Sequence, residues 1–232
     1  MERNGRGLLF VVSGPSGTGK GTICAALAED PRILLSVSMT TRAPRGHEVE
    51  GKNYYFVDKA RFEEIIAEGG FFEFAEIYGE FYGTPKAPVL EHIEKGGDAI
   101  LEIDVDGATQ IKECLPEAVL VFIMPPSPEE LRRRIEARGT ESPERIAVRL
   151  ERADSEIAKM GGYQYCVVND KLRTAIGDVA AIMRAEKIYS GGRKPGLMSL
   201  ADMLAVRRAA KLRVCEQVDN YLERYKAGKL AN

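Results

Sequence analysis

Apolar residues in this chain gather into short unbroken runs set between helical patterns: Leu8 to Val12, Ala99 to Val105, Val119 to Met124 and Tyr165 to Val168. Runs of this length, rich in Val and Ile, predict strands covered on both faces, and hence a parallel sheet. A helix follows the first run, from about Gly19, and must end before Pro31. Another begins at Ser127-Pro128-Glu129-Glu130, where serine caps and proline occupies the first turn. The core therefore reads as a three-layer α/β fold.

Residues 36 to 89 have a different texture. Aromatics there alternate with glycine and charge, as in Tyr54-Tyr55-Phe56, Phe71-Phe72-Glu73-Phe74 and Phe81-Tyr82-Gly83. This alternation predicts a small antiparallel sheet inserted into the parallel core. A second insertion, about residues 139 to 149, is short, polar and flanked by arginines, and reads as a lid. After a hinge at Gly191 to Gly196, Leu200, Met203, Val206, Ala210, Val214, Val218, Tyr221 and Tyr225 recur every three or four residues and predict a helix. The expected organisation is a core of residues 1–37 and 90–189, a substrate-binding insertion at 38–89, and a helical extension at 190–232.

The first strand runs into Gly14-Pro15-Ser16-Gly17-Thr18-Gly19-Lys20. Glycines let the backbone wrap an oxyanion, and the helix that follows presents unpaired N–H groups with a partial positive charge. The spacing G-x-x-x-x-G-K after a strand and before a helix is a phosphate cradle, with the lysine reaching the β and γ phosphates. One departure stands out: Gly21 follows the lysine where a Ser or Thr is expected, and Thr22 comes one place later. The usual hydroxyl ligand for Mg²⁺ is thus missing from its expected position.

Composition narrows the partners. The chain has 232 residues, 44% apolar and 29% charged, with a net charge of −2. That is enough to build a full core, and it gives no global reason to expect nucleic acid or membrane binding. The N-terminus runs directly into the first strand, and no apolar run approaches the ~20 residues of a membrane span, so a cytoplasmic protein is expected. Cys24, Cys114, Cys166 and Cys215 are scattered without a C-x-x-C pair, which argues against a zinc site or disulfide scaffold, and Cys166 reads as a core thiol. His47 and His92 carry no catalytic signal and read as exposed. Residues 191–232 hold nine Lys and Arg against four Asp and Glu, so this basic helix is a candidate for docking on its own core, for self-association into a homo-oligomer, or for an acidic partner.

Downstream of the cradle, Ser36-Val37-Ser38-Met39-Thr40-Thr41-Arg42-Ala43-Pro44-Arg45 gathers hydroxyls and two arginines. Guanidinium forks bind phosphate oxygens bidentately, so Arg42 and Arg45 are candidates for holding a monophosphate opposite the cradle, with phenolic help from Tyr54 and Tyr82. Together with Gly51-Lys52-Asn53-Tyr54, Phe72-Glu73, Tyr82-Gly83-Thr84, Leu101-Glu102-Ile103-Asp104, Arg138-Gly139-Thr140 and Val168-Asn169-Asp170, this ordered set resembles guanylate kinase over residues 7 to 189.

The resemblance implies a P-loop kinase core with an inserted GMP-binding region and a short lid, and Mg²⁺-dependent transfer of the ATP γ-phosphate to GMP. ATP would be held by Gly14, Pro15, Ser16, Gly17, Thr18, Gly19, Lys20, Gly21 and Thr22, with Asn169 framing the adenine. The GMP phosphate would meet Arg42, Arg45, Tyr54 and Tyr82, with Glu48 more peripheral. Guanine offers an O6 acceptor beside N1–H and N2–H₂ donors, which an acceptor-only carboxylate at Glu73 would read, with Ser38 and Thr84 donating to O6. Glu102 and Asp104, at a strand end, would assist the GMP site or order the water shell of the metal, which Thr22 or waters would contact. Lys20, Arg134, Arg138 and Arg149 would neutralise charge in transfer, whereas Arg132 and Arg133 read as surface charges. Two other readings stand beside this one. A kinase for another nucleoside monophosphate would differ in the Ser38, Glu73 and Thr84 set, and a non-catalytic guanylate-kinase-like interaction module would have a damaged phosphate loop.

Overall fold

The structure, a computed structural model, describes residues 5–137 and 143–190. Arg138, residues 139–142 of the expected lid, Cys215 and the C-terminal extension lie outside the described residues. The chain begins with β1 (Leu9–Ser13), α1 (Lys20–Leu27) and β2 (Ile33–Leu35). It continues through β3 (Met39–Thr40), β4 (Tyr55–Phe56), α2 (Lys59–Ala67), β5 (Phe71–Ile77), β6 (Glu80–Pro85) and α3 (Lys86–Glu94). Then follow β7 (Asp98–Glu102), α4 (Val105–Cys114), β8 (Val119–Met124), α5 (Pro128–Glu136), α6 (Pro143–Ala158), β9 (Tyr165–Val168) and α7 (Leu172–Ser190).

Five strands pair in parallel in the order β2-β7-β1-β8-β9. Each face of this sheet is buried, as its unbroken apolar runs require. Phe10 and Val12 pack with Ile23 and Leu27 of α1 and Val179 and Ile182 of α7. Leu9 and Val11 point the other way, into a cluster with Val89 and Ile93 of α3 and Ala108 and Ile111 of α4. The three layers therefore follow from the period-2 alternation of side chains along one strand. β1 lies between β7 and β8, so the chain leaves its C-terminal end at the point where the strand order reverses, where α/β sheets hold their ligands.

The inserted region departs from the all-antiparallel expectation. Its sheet runs β4-β3-β6-β5, and β3 pairs with β4 in parallel while the β3–β6 and β5–β6 pairs are antiparallel. A parallel pair needs a crossover, and here residues 41–54 supply it. The insertion also carries α2, capped by the Asp58 carboxylate accepting from the Arg61 amide at 2.7 Å, with Phe62 and Ile65 buried one turn apart. In the core, the strand expected over Ala99 to Val105 ends at Glu102. Asp104 turns the chain into α4, its side chain accepting from Gly107 N at 2.8 Å, and Val105 is already helical. The described part of the lid is the opening of α6, a 16-residue helix, rather than an irregular loop.

The β5–β6 hairpin turns on Tyr78 and Gly79, with φ of 55° and 85°. Two consecutive positive φ values in a two-residue loop match the twist of the flanking strands, which is why a tyrosine accepts a left-handed conformation here. Its side chain is fully exposed and contributes no burial. Tyr78→Gly is expected to leave stability unchanged or raise it by up to ~1 kcal/mol. Urea unfolding checks this, and a loss larger than that would mean the ring is packed.

Candidate active site

The loop from Gly14 to Gly19 is built so that no side chain intrudes. Gly14 has φ 135°, and a Cβ there would stand 2.3 Å from the carbonyl oxygen of Ile123. Gly19 has φ 88°, and a Cβ there would stand 2.5 Å from Asn169 Nδ2. Thr18 is buried and its hydroxyl donates to the Pro15 carbonyl at 2.9 Å, closing the loop on itself. Lys20 donates its ammonium to the carbonyls of Gly14 and Pro15. Burial lowers its pKa, against the opposing charges of Glu102, Glu156 and Asp104.

Asn169 was expected beside the adenine. In the structure it is buried and its amide donates to the Thr18 carbonyl at 2.8 Å. That bond braces the phosphate loop and uses one of the two amide N–H donors, leaving the other and Oδ1 for further partners. Arg134 joins the same brace, donating to the Asn169 carbonyl at 3.0 Å and to Glu130 at 2.7 Å. From α6, Arg149 donates to the Ser16 hydroxyl at 2.9 Å, so this helix touches the cradle.

A cleft of about 690 Å³ opens over this loop, bounded by Lys20, Gly21 and Thr22 on one side, Glu102 and Asp104 on another, and Arg149, Arg152 and Glu156 of α6 above. The Gly21 departure acquires a reason here. A methyl group at Gly21 would stand 3.3 Å from both oxygens of the Glu102 carboxylate. Glu102 thus crowds the place a Ser or Thr side chain would take. Burial raises its pKa, partly offset by Lys20. Among the described residues no ready-made cage of three or more metal-ligating side chains exists. The donors that are present, carboxylates beside a phosphate loop, are the hard oxygen ligands a Mg²⁺ ion accepts when it keeps most of its waters.

The inserted sheet reaches the cleft through Tyr78 at its hairpin tip and holds its own cluster of polar side chains. Arg42 makes a two-pronged ion pair with Glu48, at 2.8 and 3.0 Å, and its Nε reaches the Tyr82 hydroxyl at 3.2 Å. Its guanidinium lies over the rings of Tyr54 and Phe56. Glu48, expected as a peripheral contributor, is the residue that holds Arg42 in place. The Arg42 guanidinium and the Arg45 amide keep its carboxyl at about 2. Arg45 is exposed and lines a second, adjoining cavity with Tyr78, Val148 and Arg149.

Glu73, on β5, accepts at Oε1 from the Thr84 hydroxyl at 2.6 Å. Burial raises its pKa, the Thr84 bond opposes this, and the charge of Asp104 adds to it. Asp104 and Glu73 face each other across Gly107: a methyl group there would lie 3.3 Å from Glu73 Oε2 and 3.4 Å from Asp104 Oδ1. The antiparallel register Met39↔Gly83 and Thr40↔Tyr82 sets Ser38 next to Thr84. A hydroxyl has one proton, and that of Thr84 is directed at Glu73. Thr84 therefore orients the carboxylate.

Some expectations resolve simply. Arg132 and Arg133 are exposed and paired with Glu136 and Glu130. Cys24 and Cys166 are buried free thiols, and Cys114 is a free, exposed one. His92 is half-buried rather than exposed, its Nε2 lying 3.1 Å from the Arg32 carbonyl on the side of the molecule that carries α3. Three residues of the cleft, Tyr78, Arg152 and Glu156, have no motif around them, and tertiary placement alone brings them there.

A phosphate cradle at the switch point of a parallel sheet, beside an inserted small sheet that carries a paired arginine and a half-buried carboxylate, defines a P-loop nucleotide kinase. Comparison with known proteins narrows this. The family model for guanylate kinase matches residues 6–186. A guanylate kinase of Thermus thermophilus is 48% identical over 223 residues, 96% of this chain and 98% of that one. Those of Clostridium tetani and Caldanaerobacter subterraneus are 50% and 51% identical over 78% and 81% of this chain. The crystal structure of guanylate kinase from Anaplasma phagocytophilum superposes with a TM-score of 0.64 at 37% identity, covering 80% of this chain and 88% of that one. The chain belongs to the guanylate kinase family. Its C-terminal extension, beyond the reach of the family model, falls largely within the Thermus match, so it is shared with that relative.

Proposed function

We propose that this chain transfers the terminal phosphoryl group of ATP, bound with Mg²⁺, to GMP, giving ADP and GDP. The observation that supports this reading is one cleft lined by a phosphate cradle, its lysine and Asp104, with the half-buried Glu73 beside Asp104 across Gly107. Residues 38–89 act as the GMP-binding region and α6 as part of the lid.

The attacking group is an oxygen of the GMP phosphate, already anionic, so no general base is needed. Catalysis then consists of in-line positioning and neutralisation of charge. Lys20 exchanges the Gly14 and Pro15 carbonyls for phosphate oxygens, and Arg149, resting on Ser16, adds a second cation over the transferring group. Arg42, held by Glu48, and Arg45 receive the GMP phosphate with Tyr54 and Tyr82. Glu102, Thr22 and ordered waters would hold the Mg²⁺ ion, which supplies charge neutralisation on the phosphate oxygens when bound. Glu102 therefore serves the phosphate end, while Glu73, Asp104 and Ser38 serve the base. Free thiols at Cys24, Cys114 and Cys166 suit the reducing cytoplasm, where we place the protein.

An ionised Glu73 accepts from N1–H and N2–H₂ of guanine and would face the unprotonated N1 of adenine. A buried polar site built to bond a donor rejects an analogue lacking it by roughly 10⁴-fold or more. ADP formation measured with GMP, AMP, CMP and UMP in turn is expected to show turnover with GMP at least ~10³ times that with AMP. Comparable rates with AMP would remove the guanine assignment.

A further inference from the structure

Arg152 lies in the cleft without belonging to the phosphate loop, the GMP-binding insertion or the arginines matched to the family. It sits on α6 and reaches in two directions. Its Nη2 donates to Asp104 Oδ2 at 3.1 Å and its Nε to Glu156 Oε1 at 3.0 Å. Glu156 is nearly buried, lines the cleft and bears on the charge of Lys20. Asp104 is the cap of α4 and the neighbour of Glu73 across Gly107. Arg152 is therefore the side chain by which α6 reaches Asp104, one turn before Glu156, which lines the phosphate end of the cleft.

Ordinary stability does not account for the arrangement. The side chains of Arg152 and Asp104 are 58% and 45% exposed, and exposed ion pairs add little to folding. Lys159 already ties the end of the same segment to α4 through Asp106 at 2.6 Å. What Arg152 adds is local to the site. Two carboxylates facing across a glycine repel each other, and a cation on the outer oxygen of one relieves that repulsion while fixing its orientation. Asp104 Oδ1 is held by the Gly107 amide and Oδ2 by Arg152, so both oxygens are directed before any base arrives.

We propose that Arg152 is a positioning residue for the guanine base: by holding Asp104 from the lid helix, it makes reading the base and keeping α6 over the phosphate cleft a single event. Base binding then favours the lid position that sets Arg149 on the cradle, and loss of the link uncouples the two. This rests on the reading of Glu73 and Asp104 as the base-facing acids.

The test is a double-mutant cycle on the full chain, with GMP and ATP binding each measured by calorimetry for the parent, Arg152→Ala, Arg152→Lys, Asp104→Asn and the double variant Arg152→Ala/Asp104→Asn. Asparagine keeps the helix cap, and Arg152 is exposed, so all variants should melt with the parent. Arg152→Ala is expected to weaken GMP by at least ~5-fold and ATP by less than ~2-fold, with Arg152→Lys recovering part of the loss. In the Asp104→Asn background, Arg152→Ala should cost less than ~2-fold more, the non-additivity expected of partners in contact. Unchanged GMP binding in Arg152→Ala, equal losses for ATP and GMP, or independent penalties in the double variant would overturn the proposal. Glu73→Gln, measured alongside, separates the two levels: if it leaves GMP binding intact, the base reading itself is wrong. If it weakens GMP while Arg152→Ala does not, only the role of Arg152 fails.

Discussion

Lys20→Ala lowers kcat by at least ~10² while the unfolding midpoint stays close to that of the parent. The lysine ammonium meets charge that develops on phosphate oxygens as the phosphoryl group moves, so its loss falls on the transition state. Its contribution to folding is small for a reason visible in its surroundings. Burial pulls its pKa down, meaning the folded protein carries the ammonium at a desolvation cost, and the two loop carbonyls it bonds return only part of that. Truncation removes both at once. Steady-state kinetics and a thermal melt on the same preparation check this, and near-normal turnover would end the mechanism.

Glu73→Gln separates function from stability in the opposite direction. An amide cannot accept from both guanine donors, so GMP binding in the transition state should weaken by roughly 1 to 3 kcal/mol. Folding, however, should not suffer. The folded-state pKa of Glu73 is raised by burial, so its contribution to stability is fully present below the unfolded-state value and is lost as pH rises through the folded one. At neutral pH the ionised group is a burden on the fold, and glutamine, which keeps an acceptor for the Thr84 hydroxyl, removes it. The variant should unfold no earlier than the parent at pH 7 while using GMP poorly. The same shift predicts that, in the parent, GMP affinity falls on acidification from above the ordinary carboxylate range, and that this portion of the pH dependence vanishes in Glu73→Gln. A variant with parental KM and kcat for GMP would mean guanine is recognised elsewhere.

The features legible in the sequence are those with local causes. The phosphate loop, α1 ending before Pro31, and α5 opening on Ser127 and Pro128 follow from backbone chemistry within a few residues, and each appears in the structure with Ser127 Oγ accepting from the Glu130 amide at 3.2 Å. The runs Val119–Met124 and Tyr165–Val168 are strands over those same residues. β2 is legible only as a strand ending ahead of the Ser36 to Arg45 cluster, because its three half-buried residues after a proline carry no periodicity of their own. α2 was hidden among aromatics, although Asp58 ahead of Phe62 and Ile65 is a capping signal that could have found it.

Candidate site residues divide along the same line. Arg42 and Glu48 are six residues apart and their pairing is a local matter, yet the sequence shows only charge, not which carboxylate holds which guanidinium. Asn169 looks like a nucleotide ligand by position and turns out to brace the loop, a role fixed by its burial against Thr18, 151 residues away. Arg152 and Glu156 were invisible because one turn of α6 gains meaning only when packed over Asp104 and Lys20. The empty place at Gly21 was legible at once. The crowding of that place by the Glu102 carboxylate, reaching in from the end of β7, was not.

The central claim is direct transfer between two substrates held in one cleft, and a single-turnover experiment with γ-labelled ATP tests it most directly. Enzyme in excess over labelled ATP, with GMP and Mg²⁺ present, should place the label in GDP, with little inorganic phosphate released and ATP left intact when GMP is omitted. Label appearing as inorganic phosphate at the same rate with or without GMP, or no labelled GDP at all, would contradict the account.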